Sequence, residues 1–220
     1  MPSEPTVLAF DTSAAQCAAA LLAGGGILTR SEAMVRGQAE RLMPMLAELL
    51  GEAGRDFADL DAVAVGIGPG NFTGSRIAVS AARGLALGLG KPAIGISTLE
   101  ALAHGTTGHG LALVDARQGR AYCQSFRDGH PSEPAEVIAF DAATLQARAV
   151  GSSPTLVGPL AAQAAELTGW SVAQPCWTLP EAILRVALTR LDGPCTPPAP
   201  LYLRSAGAAP ARHEAPALLD

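Results

Sequence analysis

The stretch that most constrains the fold of this chain covers residues 61–90. It opens with a short apolar run at 62–65, which has the length of a buried strand. Glycines and a proline then interrupt any regular pattern, and a helical pattern follows at 75–89, with Asn71 or Thr73 as the candidate N-cap. The stretch therefore predicts a strand, a glycine turn and a helix.

The glycine turn permits two interpretations. It is not a Walker phosphate loop, because no Lys-Ser or Lys-Thr pair follows, and it lacks the third glycine of a dinucleotide fingerprint. In one interpretation the glycines only let helix and strand pack closely, and the bare pattern favours this one. In the other, free backbone N–H groups at the helix N-terminus bind an anion. Those groups would come from Gly68, Gly70, Thr73 and Gly74.

Short motifs along the chain agree with one another. They are LAFDTS at 8–13, RLMP at 41–44, GPGNFTGSRI at 68–77, IGISTL at 94–99, VDARQG at 114–119 and LYLR at 201–204. Together they resemble the TsaB (YeaZ) family, and the first hundred residues carry most of the resemblance. This resemblance implies an α/β protein with the two-lobed fold of actin and Hsp70-type ATPases, which is ribonuclease H-like, with a reduced second lobe.

The resemblance also implies a function. Members of the family are subunits of the bacterial machinery that places threonylcarbamoyl on adenosine-37 of tRNA. We therefore expect a non-catalytic subunit that binds and activates a TsaD-type catalytic subunit, with a TsaE-type ATPase joining them and tRNA reached only through the complex. The alternatives are an active ATPase or small-molecule kinase of the same fold and a metallopeptidase.

The order of elements is repeated along the chain. Three strands followed by alternating helices and strands occur before and after a glycine-rich segment at 104–110. We expect an N-terminal lobe at 1–104, a smaller C-terminal lobe at 105–205 and a flexible tail at 206–220. Asp11 and Asp115 end the first strand of each half; such aspartates arrange metal and water in working ATPases of the fold, but aspartates also cap turns.

Composition and motifs limit the chemistry. The chain has a net charge of −5, a single lysine (Lys91) and 4% aromatic residues, so we expect poor tRNA binding by the chain alone. There is no His-Glu-x-x-His, no close cysteine pair and no nucleophile beside a His–acid pair. We predict no catalytic residue and no metal, and at most weak ATP or ADP binding by Asp11 and the glycine turn.

The predicted location follows from what the sequence lacks. The first residues show no positive region followed by an apolar core, and no apolar run reaches the length that spans a membrane. We expect a cytoplasmic protein with reduced thiols and no membrane partner.

We expect two predicted helices, at 37–53 and 75–89, to lie side by side on one face of the first sheet and to offer a partner surface. Leucines and flexible methionines mark the first, and small residues recur every four positions on the second. We expect Met43 and Leu46 to be partly exposed and Leu42 to lie nearer the core. The same surface predicts a homodimer when the partner is absent; in the other interpretation it packs on its own sheet. The candidate interface residues are Leu42, Met43, Leu46, Leu49, Leu50, Ser80, Gly84 and Gly88.

Overall fold

The computed structural model of the chain describes residues 4–149, 153–194 and 196–203. Its first sheet has five strands in the order β3-β2-β1-β4-β5. Strand β2 runs antiparallel to its neighbours β1 and β3, and β1, β4 and β5 run parallel. The strands are β1 (Val7–Asp11), β2 (Gln16–Ala23), β3 (Gly26–Ala33), β4 (Ala62–Gly66) and β5 (Ala93–Ile96).

Alternation along β1 separates two layers of core. Leu8 and Phe10 point to one face of the sheet, where α1 (Gln38–Glu52) and α2 (Phe72–Leu89) lie side by side. Val7 and Ala9 point to the other face. The predicted placement of both helices on one face of the first sheet is thus confirmed.

The second sheet also has five strands and is also mixed. Its strands are β6 (His109–Arg117), β7 (Arg120–Arg127), β8 (His130–Pro131), β9 (Glu136–Ala139) and β10 (Thr155–Val157). They follow the order β10-β6-β7-β8, and β9 also pairs with β7. Two short helices, α4 (Ala142–Gln146) and α5 (Ala161–Thr168), complete its core, while α3 (Thr98–Ala103) packs between this sheet and the rest of the protein.

The last helix, α6 (Leu179–Leu188), does not stay with the second sheet. Its buried Ile183 and Leu184 pack on the first sheet, against the face that Val7 and Ala9 occupy. The prediction of a single lobe at 105–205 is therefore wrong for α6. The reason is physical: without α6 the second face of the first sheet would be an uncovered apolar surface. The predicted tail at 206–220 lies outside the described residues.

Residues 196–203 form a strap that returns to the carboxyl ends of β4 and β5. The Leu201 amide donates a hydrogen bond to the Ile67 carbonyl at 2.9 Å. Pro198 is buried against Gly95, and Leu203 packs on the cluster beneath α3. The strap therefore joins the end of the described chain to both sheets.

Across residues 4–149, 153–194 and 196–203, no helix combines the length and apolar character needed to cross a bilayer.

Candidate functional site: the glycine turn and two helix faces

Helix α2 begins at Phe72, three residues before the predicted start. Asn71 is the N-cap: its side-chain oxygen accepts hydrogen bonds from the amides of Thr73 at 3.0 Å and Gly74 at 3.1 Å. Of the two candidate caps, Asn71 is confirmed, and Thr73 lies inside the helix. The Asn71 side chain therefore satisfies two amide donors of the first turn that have no partner within the helix.

The glycines of the turn pack directly on the turn after β1. A Cβ on Gly66 or Gly74 would overlap the Asp11 carboxylate or the Thr12 carbonyl, and one on Gly70 would lie 2.5 Å from the Ser13 carbonyl oxygen. Thr12 Oγ1 also donates to the Gly74 carbonyl at 2.7 Å. Close approach of backbone to backbone thus accounts for these glycines, as the first interpretation held.

Asp11 lies beneath this contact and is fully buried. Its Oδ1 accepts hydrogen bonds from the Ser13 amide and hydroxyl, both at 2.9 Å, while its Oδ2 has no hydrogen-bond partner among the described residues. Burial raises the pKa of the Asp11 carboxyl, and the bonds from Ser13 offset part of that rise. A side chain enclosed in this way does not reach a ligand from solvent, so the structure supports the turn-capping interpretation of Asp11.

The predicted anion site changes accordingly. Of its four amides, those of Thr73 and Gly74 already donate to Asn71, so in this structure they are not free to donate to a phosphate. Gly68 has a positive φ of 85°, and its carbonyl accepts from Thr98. Asp115, at the matching place in the second half, is exposed and caps the Arg117 amide at 2.7 Å.

The leucines of α1 face inward. The residues Leu42, Leu46, Leu49 and Leu50 are all buried, and Met45 is buried with them. The prediction that Leu46 is partly exposed is wrong, since none of its surface is accessible, and these leucines do not form a partner surface. The spacing of the leucines in the sequence places them on one face of the helix, but it does not tell which face meets the sheet. Met43 is 39% exposed, as predicted.

The outward face of α2 is open. Ser80, Gly84 and Gly88 are exposed, and a Cβ on either glycine would meet nothing within 4 Å. Leu87, which sequence reasoning missed, is 86% exposed on the same face. Its spacing from Ser80 and Gly84 is the signal that could have found it, because residues seven and three apart share a helix face.

Sequence reasoning also missed a cluster at the start of α2. The Arg76 guanidinium lies 3.7 Å from the centroid of the Phe72 ring, and its Nε donates to the Tyr202 hydroxyl at 2.8 Å. The two rings are 5.7 Å apart, and each is a little over half exposed. Phe72, Arg76 and Tyr202 form what we term the aromatic–arginine cluster. Only the four-residue spacing of Phe72 and Arg76 was visible in the sequence.

Charged side chains border α1 on the side of the edge strand β3. Arg41 bridges Glu32 and Glu48, and Arg30 bridges Glu48 and Glu52. Hydrogen bonds from Arg41 hold the pKa values of Glu32 and Glu48 below their usual range. The network fixes α1 on an edge strand and marks one limit of the exposed helix face.

In the part of the chain that the structure describes, no group of three His, Cys, Asp or Glu side chains is arranged to hold a metal ion. The thiols of Cys17 and Cys123 are buried, and burial raises their pKa values to about 11 and about 12. The two buried thiols therefore lack the lowered pKa of an activated cysteine, and the described residues offer no cluster of metal ligands.

Comparison with known proteins assigns this arrangement to a family. A family model described as "TsaD: tRNA N6-adenosine threonylcarbamoyltransferase" matches residues 21–179. The Escherichia coli tRNA threonylcarbamoyladenosine biosynthesis protein TsaB is 38% identical over 126 residues, which are 55% of this chain and 54% of that protein. The chain belongs to the TsaB (YeaZ) family. The match thus spans about half the length of this curated relative.

Two further similar proteins match nearly end to end. An uncharacterised protein of Mycobacterium tuberculosis is 34% identical over 209 residues, covering 93% of this chain and 94% of that protein. A Pseudomonas aeruginosa crystal structure, described as an uncharacterised protein with similarity to peptidase YeaZ, superposes with a TM-score of 0.75 at 31% identity. It covers 91% of this chain and 100% of that one. The fold is therefore the predicted two-lobed actin-like, ribonuclease H-like ATPase fold.

Proposed function

We propose that this TsaB-family chain is the non-catalytic subunit that binds and activates a TsaD-type catalytic subunit in the synthesis of threonylcarbamoyladenosine at position 37 of tRNA. The name of its Escherichia coli relative gives the pathway. The observation that carries the subunit role is the open face of α2 beside the exposed part of α1. That face holds a nearly bare leucine, Leu87, with no cover from the described residues.

The geometry of this face suits another helix pair. On α2 the exposed side carries small residues at four-residue intervals, Ser80, Gly84 and Gly88, and on α1 it carries Met43 and Ala47. Small residues let a second helix approach closely, and Leu87 and Met43 supply apolar area to bury. Two helices from a partner would complete a four-helix bundle. In the absence of that partner, a second copy of this chain would occupy the face as a homodimer.

The non-catalytic role is supported by what lies at the edge of the first sheet. Open α/β sheets bind ligands outside the carboxyl ends of their strands, where the strand order reverses. Here Gly70 and Gly74 contact the turn after β1, Asp11 is enclosed, and the strap covers Ile67 and Gly95. Nucleotide binding by the chain alone should therefore be weak, which argues against the ATPase or kinase alternative.

The other components follow from charge and from the family. The chain carries a net charge of −5, so tRNA would be held through the assembled complex and not by this subunit. A TsaE-type ATPase would join the pair. The metallopeptidase alternative would need a metal-holding donor group, and within the described ranges no such group occurs.

The test is co-purification with the TsaD-type protein of the same organism, using Leu87→Arg and the matched control Leu167→Arg. Both leucines are exposed on helices, Leu87 on α2 and Leu167 on α5, so both variants should fold. We expect Leu87→Arg to lose the partner and the control to retain it, with threonylcarbamoyladenosine formation following the same pattern. The proposal is wrong if the unmodified chain does not bind the partner, or if both variants bind equally.

A further inference from the structure

We propose that the aromatic–arginine cluster of Phe72, Arg76 and Tyr202 binds a carboxylate of the TsaD-type partner and is a hot spot of that interface. The inference rests on the proposed function and adds a position and a chemistry to it.

The Arg76 guanidinium is held in one orientation by two contacts. Its flat face lies on the Phe72 ring, and its Nε donates to the Tyr202 hydroxyl. The two terminal amino groups have no hydrogen bond or ion pair with the described residues. They remain as a parallel pair of donors, the geometry with which arginine binds a carboxylate through two hydrogen bonds. Because the side chain is already held in one orientation, it loses less conformational entropy when a partner binds.

Tyr202 can orient Arg76 because the strap that carries it is anchored. The Leu201 amide bonds to the Ile67 carbonyl, and Pro198 and Leu203 are packed on either side of it along the chain. The hydroxyl that meets Arg76 is therefore held from the first sheet. Residues 126 positions apart in sequence thus form a single surface feature.

The cluster lies on the partner face of α2. At about 100° per residue, Phe72 and Arg76 fall on the same side of the helix as Ser80, Gly84 and Leu87. A partner helix seated over Ser80 and Gly84 would pass the Arg76 donors one turn away. Interface hot spots favour tyrosine and arginine surrounded by contacts that exclude water, and exposed Phe72 would supply part of that surround.

The neighbouring surface favours a protein carboxylate over an RNA phosphate. Beyond Arg76, the exposed side of α2 continues as small and apolar residues, with Arg83 as its other charged group. A nucleic-acid surface would carry several cations along the path of the backbone. The chain as a whole is acidic. The partner should accordingly present an acidic side chain at the end of an apolar helix face.

The experiment measures the dissociation constant for the TsaD-type partner with Arg76→Ala, Arg76→Lys, Tyr202→Phe and, as control, Arg55→Lys at an exposed arginine outside α2. Because a charge-assisted pair is lost, Arg76→Ala should weaken binding about tenfold or more. Arg76→Lys should lose nearly as much, since lysine keeps the charge but not the paired donors. Tyr202→Phe should weaken binding less, and should add nothing in the Arg76→Ala background. Arg55→Lys should bind normally.

The outcomes separate this inference from the proposed function. If the unmodified chain does not bind the partner, the proposed function fails. If it binds and the Arg76 and Tyr202 variants bind equally well, the proposed function stands and the inference is overturned. Variants that melt several degrees lower but bind normally would assign the cluster to strap anchoring only, and also overturn it. Unchanged partner binding together with weaker retention of tRNA by the assembled complex would likewise overturn it.

Discussion

Gly74 rests directly on Thr12: the Thr12 hydroxyl donates to the Gly74 carbonyl at 2.7 Å, and the Thr12 carbonyl fills the space that a Cβ on Gly74 would need. This contact joins the first turn of α2 to the turn after β1. The Gly74 carbonyl and the Thr12 carbonyl are both backbone groups. Neither can therefore move away from the contact without separating the helix from the sheet.

Gly74→Ala should therefore destabilise the protein, by about 3 kcal/mol of unfolding free energy, through overpacking. Gly84→Ala is the matched control on the same helix. Its Cβ would meet nothing within 4 Å, and alanine is the better helix former by about 1 kcal/mol, so this variant should be slightly more stable. Chemical denaturation of the two variants measures both signs. Two changes of the same sign would contradict the packing role of Gly74.

Asp11→Asn should change how stability depends on pH. The pKa of Asp11 is raised in the folded protein by burial, so its favourable contribution is complete below the unfolded pKa of about 3.9 and is lost as pH rises through the folded pKa. Asparagine keeps an oxygen for the two bonds from Ser13 and carries no charge. The stability gain of Asp11→Asn over the unmodified chain should therefore grow as pH rises from about 4 and then level off.

Urea denaturation of both proteins between about pH 4 and about pH 8 tests this expectation. Ser13→Ala provides the control, because it removes one hydrogen bond to Asp11 and should raise the pKa of the carboxyl further. If the stability curves of the unmodified chain and of Asp11→Asn run parallel across the whole range, the carboxyl carries no burial penalty.

Met43→Arg and Leu46→Arg should have opposite consequences although they lie one turn apart. Leu46 is fully buried between α1 and the sheet, so an arginine there should prevent stable folding. Met43 is 39% exposed, and an arginine there should leave the melting temperature nearly unchanged. The same change should weaken binding of the TsaD-type partner by about 2 kcal/mol or more. Melting curves together with co-purification distinguish the two. A Met43→Arg variant that folds and keeps the partner at full affinity would remove α1 from the interface.

ATP or ADP should cause little thermal shift in the isolated chain. The enclosed Asp11 and the capped amides of Thr73 and Gly74 leave few groups to hold a phosphate. The measurement is a melting curve at micromolar and millimolar nucleotide. A shift of several degrees at micromolar nucleotide would mean useful affinity by mass action and would favour the ATPase alternative.

Local features were predictable from the sequence because local residues determine them. The strand at 62–65, the turn and the helix that Asn71 caps all follow from neighbouring residues, and the placement of α1 and α2 on one face follows from the order of elements. Met43 was correctly predicted as partly exposed. The start of α2 was missed because Gly74 looks like part of the glycine turn, and the sequence left the cap open between Asn71 and Thr73.

Features that depend on distant contacts could not be predicted in this way. Leu46 and Met43 are both apolar and adjacent on the helix surface, and only the position of the sheet decides which is covered. The pairing of Arg76 with Tyr202 spans nearly the whole chain, and no local pattern marks it. The return of α6 to the first sheet was missed for the same reason.

The position of α6 also constrains how the protein is made. A ribosome releases residues of the first sheet long before those of α6, so Val7, Ala9, Ile94 and Ile96 face water, or a chaperone, until the chain has grown to about residue 188. The first sheet, with the exposed face of α2 on its other side, is thus completed only once α6 has been synthesised. Premature termination anywhere before α6 would leave an aggregation-prone fragment in place of a smaller working subunit.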